Sequence, residues 1–329
     1  MPSALVAIFG ESDGILTRAV ELGGGTISPV EGATALVWAG GSPVDLEAAI
    51  EQAASARWVQ LTSAGVDDYL DVIERHAQLS WTCAKGVYAD SVAEHALALI
   101  LALRRGFSEH ARRGHWASDI LVEPLLGSSE VVTILGGGGI AGRLADLLAP
   151  FGVHVRIVRR QQNHSFDAPH ERLFGIDDLD IALDGARVLV STLPLTEQTR
   201  GLLDRNAFAR LAPGAIVINV GRGPVLVQEH LLDLLESGHL RGAGLDVTDP
   251  EPLPANHPLW SHPGCLITSH TSNPTAWRTS QLAALVQDNV ANYAHGRPLR
   301  GMVDASAQGS GNKAPKLSAR PPGAPANDR

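Results

Sequence analysis

The chain has 329 residues, 44% of them hydrophobic, and sets 26 basic against 35 acidic residues for a formal charge of -9. That length suits two domains with real cores, and the acidic balance argues against a nucleic-acid or anionic-membrane surface. Cys83 and Cys265, the only cysteines, read as reduced thiols of a cytoplasmic protein and not as a disulfide framework. The apolar stretch 4–9, soon followed by Glu11 and Asp13, is too short for a signal peptide. The longest apolar run, 96–103, cannot span a bilayer.

Short β-rich runs at 4–9, 35–38, 58–61 and 79–82 read as buried strands separated by helical patterns such as 44–54. This alternation implies a mainly parallel sheet. Ser91 and Glu94 form a capping-box pattern ahead of a helix at 96–103, whose negative C-terminal end suits Arg104 and Arg105. The helix is apolar almost all round, which places it between domains and at a subunit contact, as in a homodimer. A second series follows, with strands at 131–135, 153–158, 187–192, 215–220, 242–246 and 265–269. Asn273 then caps a helix with Pro274 in its first turn, running towards His295 and stopped by Gly296 and Pro298. From Ala305 large apolar side chains almost vanish, so the tail at 305–329 is expected to be disordered and without catalytic function.

The strand 131–135 runs into Gly136-Gly137-Gly138-Gly139-Ile140-Ala141-Gly142 and then a helical stretch. In that context Gly136 permits a tight turn, Gly138 lets a pyrophosphate approach the main chain, and Ala141 allows close helix-to-strand packing. Gly139 and Ile140 supply amides at the helix start. The next strand ends in Arg159-Arg160, where an acidic residue would bind a ribose 2′-hydroxyl. Two guanidinium groups there suit a 2′-phosphate, so NADP(H) is expected over NAD(H).

Further on stand Val188-Leu189-Val190-Ser191-Thr192-Leu193-Pro194-Leu195-Thr196, Asn219-Val220-Gly221-Arg222-Gly223-Pro224-Val225, Gly244-Leu245-Asp246-Val247-Thr248-Asp249-Pro250-Glu251-Pro252-Leu253 and Thr268-Ser269-His270. With Ser63-Ala64-Gly65-Val66-Asp67 and Ser91-Val92-Ala93-Glu94-His95 upstream, the order and spacing resemble those of the D-isomer-specific 2-hydroxyacid dehydrogenases over residues 61–304. The resemblance implies a Rossmann dinucleotide-binding domain at 93–273 inserted into a flavodoxin-like substrate domain at 1–92 and 274–304. It implies hydride transfer between NADP(H) and a small 2-oxo or D-2-hydroxy acid, with glyoxylate or hydroxypyruvate favoured. Arg222 would bind the substrate carboxylate and polarise the carbonyl. His270 would be the general acid in reduction, and Glu251 would hydrogen-bond its other ring nitrogen; a carboxylate there favours the protonated ring. Ser63, Ala64 and Gly65 would hold the substrate carboxylate through main-chain amides, with Tyr88 beside the substrate. Leu193, Pro194, Thr199, Val220, Gly221 and Asp246 would adjoin the cofactor.

The chain departs from the family pattern in places. Ser269 stands where the family has Pro, and Thr271-Ser272-Asn273 replaces a glycine-containing run, which implies a looser loop presenting His270. Gly139 replaces a larger residue, and Tyr88 a smaller polar one. His257, His262, Cys265 and His270 have a metal-like spacing, but Pro258, Pro263 and Gly264 mark an irregular loop and no metal is expected. Other readings on the same scaffold are a nucleotide-sensing protein of the corepressor type, a phosphoglycerate dehydrogenase-like enzyme and a formate dehydrogenase. The last is disfavoured, because formate oxidation does not need the Glu251 and His270 pair.

Overall fold

The computed structural model describes residues 4–10, 14–116, 118–120, 126–160 and 171–303. The expected disordered tail lies outside the described residues. The chain forms two units, one made of residues up to Tyr88 together with a segment from Asn273, the other of Ala89–Ser272. Among the described residues no helix is long and apolar enough to cross a membrane.

The first unit opens with β1 (Leu5–Phe9), α1 (Ile15–Leu22), β2 (Thr26–Ile27), β3 (Ala35–Trp38), α2 (Pro43–Gln52), β4 (Trp58–Leu61), α3 (Leu70–Arg75) and β5 (Ser80–Thr82). Every pairing is parallel and the strand order is β2-β1-β3-β4-β5, the flavodoxin-like arrangement expected from sequence. Both β3 and β4 are buried along their whole length because helices cover both faces. Leu36, Leu46, Val59, Leu61 and Ile73 form the centre of that core. The capping box at the start of α2 is complete: the Asp45 amide donates to Ser42 Oγ at 3.2 Å, and the Ser42 amide to Asp45 Oδ2 at 3.0 Å. The two-residue β2 escaped the sequence reading, being exposed and too short for a period.

The second unit contains α4 (Ala89–Arg104), α5 (Phe107–Arg113), β6 (Val131–Leu135), α6 (Gly139–Leu148), β7 (His154–Arg159), β8 (Glu171–Gly175), α7 (Leu179–Leu183), β9 (Val188–Ser191), α8 (Arg205–Ala209), β10 (Ala215–Asn219), α9 (Gln228–Glu236), β11 (Leu240–Leu245) and β12 (Cys265–Ile267). Among the described residues its seven strands are parallel in the order β12-β11-β10-β9-β6-β7-β8. This is the doubly wound Rossmann arrangement, and its order reverses between β6 and β9, where such sheets bind ligands. Fully buried Phe208, Leu189, Val217 and Leu245 belong to the core on one side of this sheet, each contributing about 1.5–3 kcal/mol by burial.

One sequence expectation is corrected in α4. The helix begins at Ala89, so Ser91 lies in its first turn and is not the cap; its hydroxyl donates to the Ser272 carbonyl. The helix packs on α6, β10 and β11 within its own unit. Arg104 is buried at the helix end and pairs with Glu130 at 3.0 Å, with Arg187 a further cation 3.7 Å from the same carboxylate. From Asn273 the chain rejoins the first unit as α10 (Thr275–Ala294), packed on α1. Pro274, and not Asn273, takes the N-cap position, with no side chain capping it. Buried Asn289 secures the helix through Nδ2 to Gln60 Oε1 at 2.8 Å and to the Arg300 carbonyl at 3.0 Å.

Candidate active site

The glycine turn leaves β6 at the point of strand reversal. Gly136 has a φ of +113°, and a Cβ there would stand 2.3 Å from Thr192 Oγ1, so no other residue fits. Gly137, Gly138 and Gly139 are exposed. Gly138 is the N-cap of α6, with no side-chain hydrogen bond capping that end of the helix. Nothing lies within 4 Å of where a Gly138 side chain would begin. Ala141 is fully buried against the sheet. Uncapped amides at a helix N-terminus, above an open main-chain surface, fit the pyrophosphate of a dinucleotide. Arg159, the last residue of β7, lies along this turn: a Cβ at Gly137 would meet its Cβ and Cδ at 2.8 Å. Arg160 is exposed beside it.

The loops after β9 and β10 meet next to the turn. Gly221 packs against Leu193, whose carbonyl oxygen and nitrogen would be 2.6 and 2.8 Å from a Cβ at Gly221. Thr199 Oγ1 donates to the Pro194 carbonyl at 2.7 Å and accepts from the Thr196 amide at 2.8 Å, closing the loop that carries Leu193 and Pro194. Val220 is buried behind it.

Arg222 follows directly and is half-buried. Its backbone is fixed by fully buried Asn219, whose Nδ2 donates to the Arg222 carbonyl at 3.0 Å while its Oδ1 accepts from the Gly221 amide at 3.1 Å. Arg222 Nη1 donates to the Gly221 carbonyl at 2.8 Å. Gly223 then presses on the segment leading to Glu251: a Cβ there would be 1.8 Å from the Thr248 carbonyl oxygen.

Glu251 and His270 meet as the sequence implied, with His270 Nδ1 donating to Glu251 Oε1 at 2.7 Å. A carboxylate can only accept, so Nδ1 carries the proton in this contact and Nε2 is left to give or take one. The two side chains are 52% and 43% exposed, open to a reactant. His270 is also the only described non-glycine residue with positive φ, at +52°, a conformation costing roughly 1–2 kcal/mol. Its amide donates to the Asp246 carbonyl at 2.9 Å.

The structure gives Asp246 a bracing place. Its carboxylate, 1% exposed, accepts from Thr268 Oγ1 at 2.6 Å and from the amides of Thr271 at 2.9 Å and Ser272 at 3.2 Å. Burial alone would raise this carboxyl, but the hydrogen bonds from Ser272, Thr268 and Thr271 hold it below the ordinary carboxylate range. Thr268 Oγ1 gives its single proton to Asp246, so His95 Nε2, 2.9 Å away, donates to Thr268. The loop around His270 is therefore tied to Asp246 by Thr268, Thr271 and Ser272. The sequence reading missed this bracing because Thr268, Thr271 and Ser272 look like unremarkable polar loop residues.

The remaining predicted residues lie in the first unit. Ser63 and Ala64 are exposed after β4, and Ser63 Oγ donates to the Gly65 carbonyl at 2.7 Å. Tyr88 is buried with its hydroxyl donating to the Thr62 carbonyl at 2.8 Å, and burial pushes its pKa up to about 12. The histidines of the metal-like run have other partners: His257 Nδ1 accepts from the Leu259 amide and His262 Nδ1 from the Gly264 amide.

A nucleotide-binding turn and an imidazole–carboxylate pair on one Rossmann unit define a nicotinamide-dependent oxidoreductase. A family model, the D-isomer specific 2-hydroxyacid dehydrogenase NAD binding domain, matches residues 97–272. An uncharacterized protein of Corynebacterium melassecola is 34% identical over 254 residues, 76% of this chain and 83% of its own. The glyoxylate/hydroxypyruvate reductase A of Serratia proteamaculans is 34% identical over 218 residues, 66% of this chain and 68% of its own. Among solved structures, the D-isomer specific 2-hydroxyacid dehydrogenase from Xanthobacter autotrophicus Py2, in complex with NADPH and MES, superposes with a TM-score of 0.78 at 25% identity, covering 93% of this chain and all (100%) of that one. The chain belongs to the D-isomer specific 2-hydroxyacid dehydrogenase family, and is an oxidoreductase with a nicotinamide-binding Rossmann domain.

Proposed function

We propose that the protein reduces a small 2-oxo acid, glyoxylate or hydroxypyruvate foremost, to the D-2-hydroxy acid with NADPH as the reductant. The observation that carries this reading is the His270–Glu251 pair, fixed at 2.7 Å on a constrained backbone in the unit that holds the dinucleotide turn. Bound NADPH supplies the hydride for C2 of the substrate. His270 Nε2 gives the proton to the carbonyl oxygen as negative charge develops there, and Glu251 stabilises the protonated ring through Nδ1. Arg222 binds the substrate carboxylate and draws charge from the carbonyl. In the reverse direction His270 takes the proton back. Ser63, Ala64, Gly65 and Tyr88 retain their proposed substrate contacts, to be tested residue by residue.

The NADP preference rests on Arg159 lying along Gly137; of the similar solved structures, the Xanthobacter protein holds NADPH and one from Lactobacillus delbrueckii holds NAD. A charge-assisted contact to the 2′-phosphate contributes about 1.5–3 kcal/mol, so Arg159→Asp should cut the NADPH-to-NADH affinity ratio by roughly 10- to 100-fold. Two free, buried cysteines support a reducing, cytoplasmic compartment. Exposed Phe107 and Trp116 support a homodimer, which sedimentation velocity would test.

The deciding experiment follows loss of reduced-nicotinamide absorbance with NADPH, then NADH, against glyoxylate, hydroxypyruvate, pyruvate and larger 2-oxo acids, with His270→Ala as control. Turnover with NADPH that disappears in the variant supports the reading. Tight NADPH binding without turnover on any oxo acid would overturn it in favour of a nucleotide-sensing protein.

A further inference from the structure

We propose that Gln228 is a positioning residue that locks the segment carrying Glu251 to the segment carrying Arg222, and so fixes the tautomer of His270. The inference rests on His270 and Glu251 being the acid–base pair. Gln228 is the first residue of α9 and is 4% exposed. Both ends of its amide are engaged by one residue: Nε2 donates to the Asp249 carbonyl, and Oε1 accepts from the Asp249 amide at 3.0 Å. Only a primary amide can complete this reciprocal pair, since a carboxylate cannot donate and a thioether cannot donate and accepts only weakly.

A clamp at Asp249 acts two residues before Glu251. Pro250 and Pro252 flank Glu251 and have no amide hydrogen, so Asp249 offers the nearest upstream amide able to hold that segment. Asp249, Pro250, Glu251 and Pro252 are all exposed, and besides Gln228 the Thr248 hydroxyl holds the segment, donating to the Pro250 carbonyl at 2.9 Å. The other side of the clamp is rigid. The Arg222 carbonyl accepts from the Val225 amide at 3.2 Å, and Leu203 pairs with the same segment through its amide to the Val225 carbonyl and its carbonyl to the Val227 amide, both 3.0 Å. Gln228 comes next in the chain. It thus refers the position of Glu251 to the backbone that presents Arg222, alongside the contact of Gly223 with Thr248.

The test compares wild type, Gln228→Ala, Gln228→Met and Glu251→Ala as full chains. The ring 15N shifts of His270, assigned with His270→Gln, report its tautomer without cofactor or turnover. Wild type should hold the proton on Nδ1, and both Gln228 variants should move towards the mixture seen in Glu251→Ala. Both should lose about tenfold in kcat, with a smaller change in KM for the oxo acid, because the pair is misaligned and not removed. Gln228→Met keeps the bulk of the side chain and removes both hydrogen bonds, so it also carries the test if Gln228→Ala fails to fold. Wild-type tautomer and kcat in Gln228→Met would overturn the proposal and leave Gln228 a packing residue. Turnover that survives His270→Ala would defeat the functional reading instead, while the ring shifts would still decide the role of Gln228.

Discussion

Replacing Gly223 by alanine drives a methyl group into the main chain of Thr248. The added carbon would lie 1.8 Å from the Thr248 carbonyl oxygen, 2.2 Å from its carbon and 2.9 Å from the Asp249 nitrogen. All three are backbone atoms, so no rotamer change relieves the clash. Restoring van der Waals contact at 3.4 Å requires the Arg222 segment and the Thr248–Asp249 segment to part by about 1.6 Å. Overpacking of this kind costs about 1–3 kcal/mol, which lowers the melting temperature of a unit this size by roughly 2–4 °C per kcal/mol. The larger effect should be on catalysis, since a misplacement of about 1 Å costs on the order of 100-fold in rate. Steady-state kinetics, thermal unfolding and NADPH binding, measured on the same preparation, separate these effects. We expect kcat to fall on the order of 100-fold with cofactor binding nearly intact, because the glycine turn is not touched. A variant with wild-type kcat and unchanged melting would show that the Arg222 and Glu251 segments do not touch, and the coupling derived above would fail.

Glu130→Ala should destabilise the protein by up to about 3–5 kcal/mol, because it removes the carboxylate that lies 3.0 Å from Arg104, buried at the end of α4; chemical denaturation measures this, and a loss below about 1 kcal/mol would mean the pair is solvated. Asp246→Asn should destabilise by about 1–3 kcal/mol at neutral pH, since an amide cannot accept all the hydrogen bonds that the carboxylate does. The folded-state pKa of Asp246 is depressed, so its contribution is present above the ordinary carboxylate range and lost as pH falls through the folded value. The stability gap between wild type and Asp246→Asn should accordingly narrow on strong acidification, and a gap that widened would reverse this assignment.

The parallel sheets were legible because their strands are continuous apolar runs, and the dinucleotide turn because a strand, a glycine run and a helix stand in the required order. Strand β2, with two exposed residues, carries no such signal, and β8 lies at the sheet edge, where burial imposes less pattern. Ser91 illustrates a local rule overridden by tertiary context: its pattern with Glu94 reads as a cap, yet α4 starts at Ala89 and the hydroxyl serves Ser272, far along the chain.

By itself the sequence determined the two-sheet architecture, the glycine turn and the chemical types available for catalysis, because periodicity and glycine requirements are local properties. Only the tertiary structure decided how those groups are held. Asp246 reaches three partners more than twenty residues away, Gln228 clamps a main chain twenty-one residues further on, and Gly223 is a glycine because another backbone passes against it. Such partners are separated in the chain and brought together by parallel strands whose C-terminal ends share one edge, so no window of sequence contains them.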